Sequence, residues 1–236
     1  MELVVDIWRG AADGAFQSYP VTVRPGQTVL DLVVYVQRHL DSTLSYRYAC
    51  RVGMCGSCAM TVNGVPRWTC RTRIGTVSKG GKLTLAPLRN LPHIKDLACD
   101  MAPFFDKLAA ARGCFVPGRP GAGDMAPIAP SNRRRQAVDA AIECIGCGVC
   151  YAACDVVAWR PDFVGPAALN RAWTLVNDER DGDRPDRLAV VAGDAGCHVC
   201  HSQQNCARHC PKALNPTASI AGLKRAAALA LLKGEL

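Results

Sequence analysis

Apolar and polar residues alternate in short runs over the first part of the chain, as is typical of strands. ELVVDIW and SYPVTV are joined by a glycine-containing turn and predict a hairpin. RPGQTVLDLVVYVQRHLD carries apolar residues at helical spacing. CAMTVNGVPRWTC, divided by an Asn-Gly turn, and GKLTLAPL predict further strands. The order strand, strand, helix, strand, strand predicts a small sheet wrapped over one helix.

The pattern becomes helical beyond residue 133. RRQAVDAAIECIG, GPAALNRAWTLVNDER and NPTASIAGLKRAAALALL repeat apolar residues at steps of three and four, and the last two begin with proline in the first turn. The segment before them is dense in proline and glycine and predicts a linker. We therefore predict an α+β chain with domains at residues 1–110 and 133–236, joined by a linker at residues 111–132.

Cysteine is the unusual component, with 14 residues in a chain of 236. Disulfide scaffolds are usually far shorter, and MELVVDIWRG lacks the basic and long apolar regions of a signal peptide. Reduced, metal-binding cysteines in the cytoplasm are therefore expected. No run approaches the ~18 apolar residues that a membrane-spanning helix needs. The net charge of +8 counts every thiol as neutral, and thiolates on iron would cancel much of it, so no nucleic-acid partner is expected.

The first cysteine set has the C-x4-C-x2-C spacing of plant-type 2Fe–2S ferredoxins, with a fourth cysteine in RWTC. Glycines inside the loop let the backbone curl around the sulfides and bring N–H donors close to them. A zinc site is the alternative, but zinc knuckles rarely use this spacing between strands. The predicted 2Fe–2S ligands are Cys50, Cys55, Cys58 and Cys70.

The second set, in ECIGCGVCYAACD, has the C-x2-C-x2-C-x3-C spacing of bacterial ferredoxins. In such pairs of runs the fourth cysteine ligates the other cluster, because the chain leaves the first cluster along a helix and the next thiol points away. A third set, in GCHVCHSQQNCARHCPKALNP, supplies the exchanged ligand. The predicted 4Fe–4S ligands are Cys144, Cys147, Cys150 and Cys210.

Cys154, Cys200 and Cys206 remain for the other cluster, and the HSQQN loop lacks the cysteine that a four-iron site would use. Three thiolates suit a 3Fe–4S cluster. Cys197 is the alternative fourth ligand, which would make the cluster 4Fe–4S, although a free or structural thiol is favoured. Cys99 and Cys114 have no ferredoxin spacing and are expected to be buried small apolar residues. The predicted fold is therefore an N-terminal plant-type ferredoxin-like β-grasp domain followed by an all-α, bacterial-ferredoxin-like domain.

Five motifs together resemble the iron–sulfur subunit of the succinate dehydrogenase and fumarate reductase family. They extend over nearly the whole chain: ACRVGMCGSCAM, LPHIKDLACDM, ECIGCGVCYAAC, GPAALNRAW and CHSQQNCARHCPKALNPT. The resemblance implies three clusters in a line, carrying electrons between a flavoprotein with covalent FAD and a quinone at a membrane anchor. Haem b in the anchor is compatible with it. It also implies a peripheral location on the cytoplasmic side of the cell membrane.

Two further residues match the family pattern near the quinone. The resemblance places Trp159 beside the quinone and His201 near both the 3Fe–4S cluster and the quinone. Taken alone, Trp159 could equally be a core or interface aromatic and His201 a surface residue. Asp155 replaces the proline that usually follows Cys154, and Val52 replaces a common glutamate near the 2Fe–2S cluster.

No nucleotide-binding glycine motif and no acid–base pair for substrate chemistry is present in the sequence. We therefore expect an electron relay, with dicarboxylate chemistry on the FAD partner. Two alternatives are the same relay serving a non-quinone acceptor, such as a thiol/disulfide unit, and a free ferredoxin-like carrier. Co-purification of a flavoprotein would exclude the free carrier.

Overall fold

The computed structural model describes residues 2–118 and 127–236, which pack as two compact units. The first unit comprises Met1–Pro103 with Ile145–Ala153, and the second comprises Phe104–Cys144 with Cys154–Leu236. Part of the predicted linker, residues 119–126, lies outside the described residues. The domain limits inferred from the sequence stay a prediction.

The first unit is built on a five-stranded mixed sheet. Its β1 strand runs antiparallel to β2 and parallel to β5, while β3 runs antiparallel to both β4 and β5. The order across the sheet is β2–β1–β5–β3–β4. The strands are β1 (Glu2–Arg9), β2 (Ala15–Thr22), β3 (Ala59–Val62), β4 (Val65–Trp68) and β5 (Lys82–Ala86).

One face of this sheet is covered by helix α1 (Val29–His39). Thr28 and Asp31 form a capping box at its start: the Asp31 N–H donates to Thr28 Oγ1 at 3.2 Å, and the Thr28 N–H donates to Asp31 Oδ2 at 3.0 Å. The alternation along β1 and β5 directs their apolar side chains onto the buried face of the helix. The shared core includes Leu3, Val5, Ile7, Val29, Val33, Val36, Leu83 and Leu85.

A buried carboxylate fixes the loop that leads from α1 to the first cysteines. Asp96 accepts hydrogen bonds from Arg9 Nε at 3.1 Å, the Gly10 N–H at 2.8 Å and the Ser45 N–H at 2.7 Å. Burial alone would raise the pKa of Asp96, but these donors hold it below its usual value. The loop therefore has a fixed path on its way to Cys50.

Shorter elements complete the first unit. They are α2 (Ile74–Val77), the hairpin of β6 (His93–Lys95) and β7 (Ala98–Cys99), and α5 (Val149–Ala152). Asn90 Nδ2 donates to the Tyr151 carbonyl at 3.0 Å, at the end of α5. The segment 145–153 thus belongs to the packing of this unit.

The second unit is helical in its described residues. A central helix is almost fully buried, and its Asn170 side chain donates to the Ala141 carbonyl at 3.0 Å and accepts from Ser219 Oγ at 2.9 Å. Buried polar groups are thereby paired inside an apolar core. The helices are α3 (Ala102–Ala110), α4 (Arg133–Val138), α6 (Asp155–Trp159), α7 (Pro166–Val176), α8 (Arg184–Ala192), α9 (Asn205–Arg208) and α10 (Pro216–Leu232).

The N-terminal strands, α1, α7 and α10 occur where the patterns predict them, whereas α3, α8 and the β6–β7 hairpin were not anticipated. The prediction that Cys114 is buried is wrong, because it lies exposed at a bend beyond α3. Cys99 is buried as expected. Among residues 2–118 and 127–236, no helix has the length and hydropathy to cross a membrane.

Candidate metal centres

The first four cysteines lie on the loop before β3 and at the two ends of the β3–β4 hairpin. Cys50 and Cys55 belong to the loop, Cys58 directly precedes β3, and Cys70 follows β4. The Thr69 hydroxyl donates to the Cys58 carbonyl at 2.7 Å, which ties the two hairpin ends together. All four cysteines therefore belong to the first unit.

Backbone N–H groups converge on the Cys50 sulfur. Those of Met54 and Cys55 donate to Cys50 Sγ at 3.3 Å each, and that of Val52 donates at 3.4 Å. These donors lower the pKa of Cys50 to about 6, which favours the thiolate form that ligates metal. A loop that presents N–H donors to sulfur is the surrounding that an iron–sulfur cluster needs.

Cys58 and Cys70 are buried at the other side of this loop. Burial, with the neighbouring Cys58 thiol in addition, raises the pKa of Cys70 to about 12. Bound metal deprotonates a coordinating thiol outright, so ligation would overcome this effect. The low pKa of Cys50, the exposed Cys55 and the buried Cys58 and Cys70 fit the four-thiolate ligation that a 2Fe–2S cluster needs.

Gly56 occupies a position in this loop where no other residue fits. Its φ is +71°, and a Cβ there would lie 2.6 Å from the Cβ and 2.7 Å from the Cα of Cys147, within the same unit. Gly64 in the β3–β4 turn also has positive φ, +77°, but nothing lies within 4 Å of its Cβ position. Substitution of Gly64 therefore tests backbone strain alone, whereas substitution of Gly56 tests backbone strain together with a steric clash.

We predict that Gly56→Ala lowers the 2Fe–2S content and the apparent melting temperature, whereas Gly64→Ala keeps its clusters. Both variants bear a left-handed φ penalty of about 1–2 kcal/mol, but only Gly56→Ala must displace the Cys147 backbone. Iron content and the EPR spectrum of the reduced 2Fe–2S cluster measure the effect. Equal behaviour of the two variants would contradict the close packing of Gly56 on Cys147.

The second cysteine set is divided between the two units. Cys147 and Cys150 belong to the first unit, where Cys150 lies on α5, and Cys144 and Cys210 belong to the second. Within the second unit, Lys212 Nζ lies 3.7 Å from Glu143 Oε2, so the segments that carry Cys144 and Cys210 approach one another. This approach agrees with an exchanged ligand from the distant third set.

Three cysteines of the remaining set line one pocket of the second unit. Cys154 lies just before α6, Cys200 follows a short 3-10 turn, and Cys206 lies on α9. The pocket wall is completed by His201, Ser202, Gln203, Gln204, Asn205, Thr217, Val156, Phe163, Pro166 and Ile220. The three thiols that the spacing grouped as one ligand set therefore share one pocket.

Polar contacts surround the sulfurs of this pocket. The Ser202 N–H donates to Cys200 Sγ at 3.4 Å, and Cys206 Sγ lies 3.3 Å from Thr217 Oγ1. Ser202 and Gln204 have φ of 58° and 64°, so the HSQQN loop curls tightly at its centre. Burial raises the pKa of both Cys154 and Cys206, and the neighbouring thiols raise it further. The donors and the curled loop fit an iron–sulfur cluster, whose positive irons would stabilise the thiolates.

The other candidate residues differ in their relation to this pocket. His201 is exposed and lines it. Trp159, with 68% of its surface exposed, lies at the end of α6 and is not part of the lining. Cys197 is fully buried and is not part of the lining either, and burial raises its pKa.

Thr217, Asn205 and Lys224 make contacts with this site that the sequence reasoning missed. Asn205 Nδ2 donates to Asp155 Oδ2 at 3.1 Å, and Lys224 Nζ donates to the Cys200 carbonyl at 2.7 Å. In the sequence, Asn215, Pro216 and Thr217 indicate only a helix start, and no spacing rule relates Thr217 to a cysteine sulfur. Across residues 2–118 and 127–236, no group of three or more His, Cys, Asp or Glu residues is arranged to hold a single metal ion.

Comparison with known proteins relates both units to iron–sulfur domains. Residues 4–106 match the family model of a 2Fe-2S iron-sulfur cluster binding domain, and residues 143–215 match that of a 4Fe-4S dicluster domain. The predicted ferredoxin-like fold classes and the predicted 2Fe–2S and 4Fe–4S clusters are thereby confirmed.

Relatives are similar over almost the full length. The fumarate reductase iron–sulfur subunit of Mycobacterium tuberculosis is 37% identical over 223 residues, covering 92% of this chain and 88% of the relative. The mitochondrial succinate dehydrogenase [ubiquinone] iron–sulfur subunit of Dictyostelium discoideum is 33% identical over 219 residues, covering 88% of this chain and 75% of the relative. A chain from the structure of the Mycobacterium smegmatis Sdh1 complex in the apo form superimposes with a TM-score of 0.84 at 28% identity, covering 96% of this chain and 95% of that one.

Proposed function

Because the chain belongs to the family of succinate dehydrogenase and fumarate reductase iron–sulfur subunits, and is thus an electron-transfer subunit, we propose the route that its electrons take. They pass between an FAD-containing flavoprotein subunit and a quinone at a membrane-anchor subunit. The direction, succinate oxidation or fumarate reduction, depends on the potentials of the partners.

The proposed ligands are the cysteines grouped by spacing. When bound, iron–sulfur clusters accept and donate single electrons, and the protein supplies ligation, N–H donors and burial. The 2Fe–2S set is Cys50, Cys55, Cys58 and Cys70; the 4Fe–4S set is Cys144, Cys147, Cys150 and Cys210; the 3Fe–4S set is Cys154, Cys200 and Cys206.

The pocket lined by Cys154, Cys200 and Cys206 is the observation that carries the proposal. It presents three thiols, while Cys197 is buried outside the lining. A site with three thiolates and no fourth suits a 3Fe–4S cluster, which is the terminal cluster of the proposed route.

The quinone is proposed to bind near this pocket. His201 is exposed on the pocket wall, and its imidazole can hydrogen-bond a quinone oxygen through either ring nitrogen. The exposed Trp159 ring, five residues after Cys154, offers an apolar face for a quinone or for the anchor subunit. The pocket end of the second unit would then face the membrane anchor.

The partner subunits follow from the same proposal. The flavoprotein contacts mainly the N-terminal half, where Met54 and Val52 of the first cysteine loop are 65% and 53% exposed. The membrane anchor, with or without haem b, contacts the region of Trp159 and His201. The chain would thus be peripheral, on the cytoplasmic side of the cell membrane.

EPR spectroscopy of the anaerobically purified complex in its oxidised state tests this proposal. Oxidised 2Fe–2S and 4Fe–4S clusters are diamagnetic, whereas an oxidised 3Fe–4S cluster has an unpaired spin. A nearly stoichiometric signal supports the quinone-reactive relay. A silent spectrum with enough iron for two four-iron clusters and one 2Fe–2S cluster would make Cys197 a ligand and favour a different acceptor.

Asp155 is expected to lower the potential of the terminal cluster. Burial chiefly, and the Asp155 carboxylate in addition, raise the pKa of the Cys154 thiol, so the carboxylate acts on the ligand directly beside it. A negative charge disfavours an added electron, and Asp155→Pro or Asp155→Asn should therefore raise the potential by about 30–60 mV.

A redox titration of the oxidised-state signal measures this shift. Asp186→Asn is the matched control, since its side chain is 76% exposed on α8 and it should leave the potential unchanged. A potential that does not rise in either Asp155 variant would count against an electrostatic role of Asp155.

A further inference from the structure

A second cavity of the second unit lies apart from the proposed cluster ligands. Its volume is about 430 Å³, within the range of roughly 300–1,000 Å³ that is usual for small-molecule sites. It is formed between α7, which contributes Trp173 and Val176 and is followed by Asn177 on the lining, and α10. None of the cysteines proposed as cluster ligands lines this cavity.

The α10 wall is a single helix face. Gly222, Ala226 and Ala230 recur at steps of four on this face and are small, which leaves space beside α7. A Cβ at Gly222 would lie 2.7 Å from ring atoms of Trp173, so the indole packs directly on the glycine. Trp173 Nε1 also donates to the Ala137 carbonyl at 3.2 Å. The indole wall of the cavity is therefore held in place from two sides.

The charge of the lining is strongly positive. Arg134, Arg184, Arg225 and Lys233 contribute four cations, and Glu235 contributes one carboxylate. In the part of the chain that the structure describes, none of these four cations forms an ion pair. Four like charges around one cavity repel each other, and an anion between them would relieve that repulsion.

Helix electrostatics do not account for Arg134, which lies in the first turn of α4, where a helix favours acidic side chains. Arg184 is the first residue of α8, but its Nε donates to the Val176 carbonyl at 3.3 Å, at the C-terminal end of α7, where a helix favours a cation. This hydrogen bond holds the Arg184 guanidinium on the cavity wall. Arg184 is thus a fixed part of the wall, and Arg134 adds a cation that its own helix does not favour.

We propose that this cavity binds a phosphate-bearing anion with at least two negative charges. Guanidinium groups pair with phosphate through two parallel hydrogen bonds, and lysine adds a point charge. The phosphate could belong to a free pyrophosphate-type ligand or to the headgroup of an anionic lipid. Leu229 on the lining and Leu232, which is 83% exposed, provide apolar surface near the cations for a lipid chain.

Titration of inorganic pyrophosphate into the purified complex, followed by calorimetry, tests the free ligand. Co-sedimentation with phosphatidylglycerol vesicles, against phosphatidylcholine vesicles, tests the lipid. Arg134→Ala and Arg225→Ala should each weaken binding at least tenfold, whereas Arg133→Ala, an exposed neighbour outside the lining, should leave it unchanged. Lys233→Gln, at an exposed position, serves as a further variant with little risk to folding.

Pyrophosphate binding that only the lining variants weaken supports the proposal with a free ligand. Vesicle binding that only the lining variants weaken supports it with a lipid headgroup. Absence of both kinds of binding, or equal weakening by Arg133→Ala, overturns it. Cluster content and succinate oxidation, measured in parallel, should be unchanged in all four variants, because these residues lie outside the proposed cluster and quinone sites.

Discussion

Replacement of Cys206 by alanine is expected to remove the EPR signal of the oxidised terminal cluster, whereas Cys197→Ala is expected to keep it. Cys206 lines the pocket with Cys154 and Cys200, and Thr217 Oγ1 lies 3.3 Å from its sulfur. Cys197 is only three residues from Cys200, but it is fully buried and absent from the lining. Position in the pocket, and not nearness in sequence, should decide which thiol is a ligand.

The two variants control for each other, since both replace a buried thiol by the same smaller residue. Iron content should fall only in Cys206→Ala, and the far-UV CD spectrum should be retained in both. If Cys197 were a fourth ligand, the wild-type protein would be silent when oxidised, and Cys197→Ala would create a three-iron signal. That result would contradict the three-thiol site.

The N-terminal fold could be predicted because its signals are local. The β1–β2 hairpin, α1 and the turn at Asn63 and Gly64 each follow from periodicity or turn chemistry within a few residues. The capping box of Thr28 and Asp31 belongs to the same class of local signal. Long elements with strong periodicity are predictable since one face must be buried.

The packing of one segment of the second cysteine set with the N-terminal unit could not be predicted. Residues 145–153 pack with the N-terminal unit, although they lie among helical patterns. Asn90 contributes to this packing by its bond to the Tyr151 carbonyl, and no pattern in the sequence relates two residues so far apart. Contacts between distant segments depend on the complete fold.

The grouping of the cysteines into ligand sets rests on spacing, because chain geometry limits which thiols reach one cluster, and it stays a prediction. Cys154, Cys200 and Cys206 do line one pocket. The polar surroundings were missed, as Thr217 and Asn205 have no spacing rule that relates them to sulfur. Residue type alone predicts burial of Cys114, and its place at an exposed bend after α3 overrides that preference.

The largest stability loss is expected from Asp181→Ala in the second unit. Arg187 and Asp181 have fully buried side chains, and Arg187 Nη2 donates to the two carboxylate oxygens at 3.0 and 2.9 Å. Asp181 also accepts from the Val116 N–H at 3.2 Å and the Asp183 N–H at 3.0 Å. Removal of one partner of a buried pair costs about 3–5 kcal/mol. In Asp181→Ala the buried Arg187 guanidinium loses two hydrogen bonds to a carboxylate and keeps only the longer contact with Asp183, whose Oδ2 lies 3.5 Å away.

Such a loss corresponds to an apparent melting temperature lower by about 6–20 °C for a protein of this size. Circular dichroism at one fixed scan rate measures it, since a cluster-containing chain unfolds irreversibly. Asp186→Ala is the control, because the exposed Asp186 carboxylate lies 3.8 Å from Arg112 Nη2. This substitution should lower the free energy of unfolding by no more than about 0.5 kcal/mol. The double variant Asp181→Asn with Arg187→Met should recover part of the stability, because it removes both charges of the Asp181–Arg187 pair and keeps an amide oxygen as the acceptor for one of the two N–H groups. Equal melting temperatures for Asp181→Ala and Asp186→Ala would show that the buried pair does not stabilise the second unit.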